Sequence, residues 1–118
     1  MVYCNELADR IRAVLAGIDG ARGATEQQMF GGLAFLVGGN MAVSAAARGG
    51  LLLRADPAAS DALCAHPGVE RAVMRGRPMD GWLRVDDAAV AADEDLARWV
   101  RIGVDYAASL PPKQGPPK

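Results

Sequence analysis

One histidine, two cysteines and two lysines are all that 118 residues supply of three side chains much used in catalysis and metal binding. The lone histidine, His66, cannot anchor a multi-histidine metal set. Cys4 and Cys64 lie sixty positions apart, in no metal-ligand spacing, and the expectation is a pair of reduced thiols. No apolar run reaches the roughly 18 residues of a membrane span, so no contact with a membrane is expected. The first residues, Met1-Val2-Tyr3-Cys4-Asn5-Glu6, lack the basic-then-apolar pattern of a secretory leader, and a cytoplasmic location is the expectation. Charge of one sign is lacking too. The net charge is −1 and the pI about 5.7, without the basic footprint of a DNA-binding domain.

Hydrophobic residues make up 51% of the chain, but 23 of them are Ala. Leu, Ile, Val and Phe together number 26, which lies just above the roughly 20% share below which disorder becomes the rule. Two Phe, two Trp and two Tyr complete a core that is thin in aromatics. The length suits one domain. Eleven of the thirteen basic residues are Arg, and both Lys, Lys113 and Lys118, fall in the last six positions. With the Ala excess, this reads as the coding bias of a GC-rich genome. An individual Arg is therefore weak evidence that its bidentate fork was selected.

Apolar spacing predicts a first helix from Asn5 to Ile18, capped by Asn5, with Leu7, Ile11, Val14, Leu15 and Ile18 on one face. A polar connector, Ala21 to Gln28, follows. Three apolar runs, Leu33–Val37, Met41–Ala45 and Leu51–Ala55, are separated by Gly38-Gly39-Asn40 and Arg48-Gly49-Gly50. Connections this short demand an antiparallel meander. Leu33–Val37 is apolar at every position, which calls for cover on both faces. Asp56-Pro57 caps and starts a short helix anchored by Leu63 and stopped by His66-Pro67-Gly68. Val69–Arg75 and Trp82–Val85 are the next strands, joined by a Gly76–Gly81 loop. Asp93 is the expected cap of a last helix, Glu94–Ser109, whose buried stripe is Leu96, Trp99, Val100, Gly103, Ala107 and Leu110. The predicted fold is an α+β two-layer sandwich of order α-β-β-β-α-β-β-α, with a five-stranded antiparallel sheet and its helices on one face. The folded domain spans residues 1–110. Residues 111–118, with four Pro, form a tail expected to be disordered.

No catalytic set converges. Cys64 and His66 are two positions apart, which on a helix places them on different faces. Asp93-Glu94-Asp95 suits the start of a helix better than a cation site. The glycine pairs lie between strands and match neither G-x-G-x-x-G nor a Walker pattern. No metal and no cofactor are expected. The best electrostatic signal is Arg71, Arg75, Arg77 and Arg84 around Trp82. Arg71 and Arg75 share one face of their strand, Trp82 and Arg84 share one face of theirs, and register would bring them together as a partner-binding surface.

The segment Met29-Phe30-Gly31-Gly32-Leu33-Ala34-Phe35-Leu36-Val37-Gly38-Gly39-Asn40-Met41 resembles the "MFGG" start, strand, turn and second strand of the TfoX/Sxy family's N-terminal domain. Leu51-Leu52-Leu53-Arg54-Ala55-Asp56 is similar to its third strand entering a helix. Trp82-Leu83-Arg84-Val85, then Asp93-Glu94-Asp95-Leu96-Ala97-Arg98-Trp99, is similar to its last strand, acidic cap and "L-x-x-W" helix. Met74–Trp82 looks like an actinobacterial, standalone form of the domain. The resemblance covers residues 5–110. It implies a fold akin to type III secretion chaperones and a role in regulating natural competence, as a coactivator working with the cAMP receptor protein.

Three functional expectations follow. The first is a small, non-enzymatic, homodimeric interaction module that regulates through a protein partner such as a transcription regulator. The second is direct nucleic-acid binding by Arg71, Arg75, Arg77 and Arg84. The third, least favoured by the spacing, is an enzyme built around Cys64 and His66.

Overall fold

The computed structural model describes residues 5–18, 24–29, 32–46, 50–74 and 76–110. The chain begins with helix α1 (Asn5–Ala16), then runs through strands β1 (Thr25–Met29), β2 (Gly32–Val37), β3 (Asn40–Ala45) and β4 (Leu51–Arg54). A 3₁₀ turn (Pro57–Ala59) leads into the short α2 (Ser60–Cys64), followed by β5 (Val69–Met74) and β6 (Arg77–Val85). A second 3₁₀ turn (Asp87–Val90) precedes α3 (Asp93–Ser109). The fold is α+β, with an open antiparallel sheet in the order β1-β2-β3-β4-β6-β5.

The sheet has six strands where five are expected. The extra one is β1, inside the segment predicted to be a polar connector. Its sequence, TEQQM, has no apolar alternation because it lies at the edge, where Thr25, Glu26, Gln27 and Gln28 are exposed. Pairing with β2 holds it there, from Thr25 opposite Leu36 to Met29 opposite Gly32. The second difference is β6, which begins at Arg77 rather than Trp82. Ala72 pairs with Met79 and the adjacent Arg71 pairs with Leu83, so Asp80, Gly81 and Trp82 bulge out of the ladder. Gly81 takes a φ of +81°, which only glycine adopts freely. It donates its N–H to the Ser60 hydroxyl at 2.7 Å, and its carbonyl accepts from Ala55 at 2.8 Å. Pro78 is tolerated because β4 pairs only with Trp82–Val85 and leaves that half of β6 at an edge.

The helices pack on one face of the sheet. Leu7, Ile11 and Leu15 of α1, with Leu96, Trp99, Val100 and Val104 of α3, meet Leu33, Phe35, Val43, Leu51, Leu53, Leu83 and Val85 from the strands. These strand residues fall in register: Phe35, Val43, Leu53 and Leu83 form one row, and Leu33, Ala45, Leu51 and Val85 the next. Gly103 sets how closely α3 approaches. A Cβ there would stand 2.5 Å from the Ala42 carbonyl oxygen and 2.8 Å from Leu53 Cδ1.

Most expected helix signals hold. Asp56 accepts from the Ala58 N–H at 2.9 Å and caps the turn begun by Pro57. The stripe of α3 is buried at Leu96, Trp99, Val100, Gly103 and Ala107, with Val104 added, while the expected Leu110 is half-buried at the cap position beyond the helix. Asp93, however, is not the cap: the cap position is Ala92, and Asp93 opens the helix. Its carboxylate accepts instead from Arg10 of α1 at 3.0 Å, while the same guanidinium donates to the carbonyls of Val90 and Ala91. Likewise, α1 is tied to β1 by Arg12, which bonds Glu26 at 2.7 and 2.8 Å and Asp9 at 2.7 Å. Cys4, Phe30, Gly31, Arg75 and the expected tail 111–118 lie outside the described residues.

The other face of the sheet carries a second, smaller apolar cluster. Ala34, Met41, Leu52 and Ala72 are buried there, with Leu36 and Trp82 half-buried beside them. Strand β2 therefore has both faces covered, as its apolar sequence requires, and this is achieved within one chain. Among the described residues no helix is long and apolar enough to cross a membrane.

Candidate interaction surface

Register decides which of the four arginines stand with Trp82. The row Gln27, Ala34, Ser44, Leu52, Arg84 and Glu70 runs across all six strands on the face away from the helices. Trp82, two residues before Arg84 on β6, shares that face and stands opposite Arg54. Arg71 pairs with Leu83, a core residue of the helix side, and so belongs to the opposite face. There it donates to Asp61 of α2 at 2.5 Å and to Asp80 at 2.7 Å. These carboxylates, Asp61 first, raise the affinity of its guanidinium for its proton. Arg71 is thus a structural clasp between α2, β5 and the bulge. The expected union of Arg71 with Trp82 and Arg84 does not form, because the three-residue bulge decides the pairing. Arg77 is exposed at the far end of the β5–β6 hairpin, opposite Met74.

The surface also contains two residues that the sequence reading missed. Arg54, the last residue of β4, has its guanidinium carbon 5.1 Å from the Trp82 ring centroid and 5.7 Å from that of Tyr106 on α3. Both distances are within cation–π reach. A signal for Arg54 was present: it is the only charge in the run Leu51–Ala55. Nothing local to Tyr106 announces its part. Arg54, Trp82 and Arg84 are each half-buried.

The remaining candidates find structural roles. Met29 and Gly32 of the MFGG motif close the β1–β2 pairing. A Cβ on Gly32 would collide with the Ala45 carbonyl, so this glycine permits close approach of β2 to β3. Cys64 packs half-buried against the helix-side core. The exposed His66 ring meets the Trp99 ring edge-on, with centroids 5.3 Å apart. Each of the two side chains thus faces its own neighbours, and no Cys–His hydrogen bond joins them among the described residues. A shallow depression of about 190 Å³ lies beside them, lined by His66, Pro67, Ala89, Asp95, Arg98 and Trp99. No group of three or more His, Cys, Asp or Glu that would hold a metal ion is found among the described residues.

Residues 17–107 match the family model of the TfoX N-terminal domain. The chain belongs to that family. No curated protein and no solved structure matches it. The matched segment takes in every strand, α2 and nearly all of α3. It therefore includes both the MFGG hairpin and the Arg54–Trp82–Arg84 surface of this TfoX N-terminal domain.

Proposed function

We propose that this TfoX N-terminal domain is a non-catalytic interaction module, with a regulatory role exerted through a protein partner such as a transcription regulator. One observation carries the reading. Half-buried Trp82, Arg54 and Arg84 are grouped on the sheet face opposite the helices, where a rigid aromatic and paired guanidinium groups suit docking. The family's resemblance to competence regulators supports the regulatory part.

Self-association is a separate matter. The expected homodimer drew on Trp82 and the apolar strand Leu33–Val37; that strand is buried within its own chain, so a dimer would use the half-buried Trp82 or another surface. Val73, 65% exposed near the tip of the β5–β6 hairpin, faces Pro78 and is the apolar pair available for it.

Affinity capture from the native lysate, run with and without nuclease, tests the module. The expected result is a protein retained equally well after nuclease. Loss of everything captured on nuclease treatment would transfer the function to direct nucleic-acid binding by Arg77 and Arg84.

A further inference from the structure

The arginines of this chain divide by face. Arg10, Arg12 and Arg71, which tie elements on the helix side, each donate to carboxylates. Arg54, at the end of β4, lies between Trp82 of the other face and Tyr106 of α3, and it makes no ion pair with a carboxylate among the described residues. Arg84 likewise makes no ion pair among the described residues, although Glu70 stands opposite it in the ladder. A guanidinium beside aromatic rings keeps its N–H donors available, and a carboxylate can take two of them bidentately. Packing against two rings restricts the side chain, which lowers the ordering cost of a partner.

We propose that this face docks an acidic, extended segment of a protein partner, with carboxylates at alternate positions received by Arg54 and Arg84. The proposal rests on the interaction-module reading and names its partner's chemistry. The spacing argument comes from the register. Arg54 stands opposite Trp82, so Arg84 is its diagonal neighbour, at about 7–8 Å in an antiparallel pair. Alternate residues of an extended chain lie about 6.6 Å apart and point the same way. Two carboxylates at positions i and i+2 therefore match the spacing of the two arginine positions, and the residue between them points away from the face.

Charge favours a peptide over a nucleic acid. A phosphate backbone needs a continuing track of cations. Here Arg71 is turned to the other face and committed to Asp61 and Asp80, which leaves two separate arginines rather than a track.

The test uses the full chain and a synthetic peptide with glutamate and valine alternating. The controls are the same peptide with glutamine in place of glutamate, and an oligothymidylate of equal length. Binding is followed at low salt by the NMR signals of the arginine Nε–H groups. The glutamate peptide should shift Arg54 and Arg84, and leave Arg12 and Arg71 in place. Arg54→Lys, which keeps the charge but loses the fork, should weaken binding by about tenfold or more, the effect of roughly one lost charge-assisted hydrogen bond. Arg84→Gln gives an independent reading should Arg54→Lys disturb the fold, and Arg71→Gln should bind as the parent does. Equal binding of the glutamine peptide, tighter binding of oligothymidylate, or indifference to both Arg54→Lys and Arg84→Gln would overturn the proposal. A silent titration beside a nuclease-resistant capture discards this face and leaves the module standing, whereas a nuclease-sensitive capture discards the module itself.

Discussion

Arg71 and Arg84 sit on adjacent strands, thirteen positions apart, and point to opposite sides of the sheet. That difference separates a clasp from the proposed docking group and leads to contrasting substitutions. Arg71→Gln removes two ion pairs that bind α2 and the bulge, so it should lower the thermal midpoint while partner capture is unchanged. Arg84→Gln should do the reverse, with an unchanged melt and weaker capture. Glu26 adds a pH dependence. Hydrogen bonding to Arg12 holds its carboxyl below the ordinary 4.5. A depressed carboxyl favours the folded state above its unfolded value, and that contribution fades as pH falls through the folded one. Melts at neutral pH and again at acid pH, below that ordinary value, should therefore show a larger loss for the parent than for Glu26→Gln. Equal losses would mean that the Arg12 bridge does not link α1 to β1 in solution. Period-2 alternation on each strand was legible, and it correctly joins Trp82 with Arg84. The face of Arg71 was not, because it depends on how β5 registers against a bulge that reads as a loop.

Among the elements, α3 was the most legible and β1 the least. A 17-residue helix displays its buried stripe several times over, so Leu96, Trp99, Val100, Gly103 and Ala107 all emerge from spacing. β1 has five residues, mostly polar, and becomes a strand through its partner β2 rather than through its own pattern. β6 lies between the two cases: Pro78, Asp80 and Gly81 are loop residues by composition, accommodated here by an edge and a bulge. The place where α3 rests on β3 gives a direct test of the packing. Alanine outranks glycine in a helix by about 1 kcal/mol, so propensity alone makes Gly103→Ala stabilising. With Ala42 and Leu53 in the way, an overpacking cost of about 1–3 kcal/mol should win, for a net loss of up to about 2 kcal/mol, measured by chemical denaturation. A more stable variant would show that α3 stands further from the sheet than described.

On the scale of the whole molecule, two apolar layers share one sheet. The larger lies under the helices and sets stability: Leu53→Ala, within it, should cost about 2–5 kcal/mol. The smaller, around Ala34, Met41, Leu52 and Ala72, forms the floor beside the half-buried Trp82. The α+β class and the helical layer could be read from the chain because they follow from hydrophobic spacing within each segment. The composition of the surface could not, since Arg54, Trp82, Arg84 and Tyr106 come from three elements and meet only through register and helix placement. The proposed function places docking on the face opposite the helices, and crosslinking in living cells tests that placement most directly. A photo-reactive residue is placed at Glu70, exposed on that face beside Arg84, and separately at Ala13, exposed on α1. A protein adduct from position 70 that is absent from position 13 is the result predicted. Adducts from position 13 alone, or nucleic acid as the species captured at position 70, would contradict it.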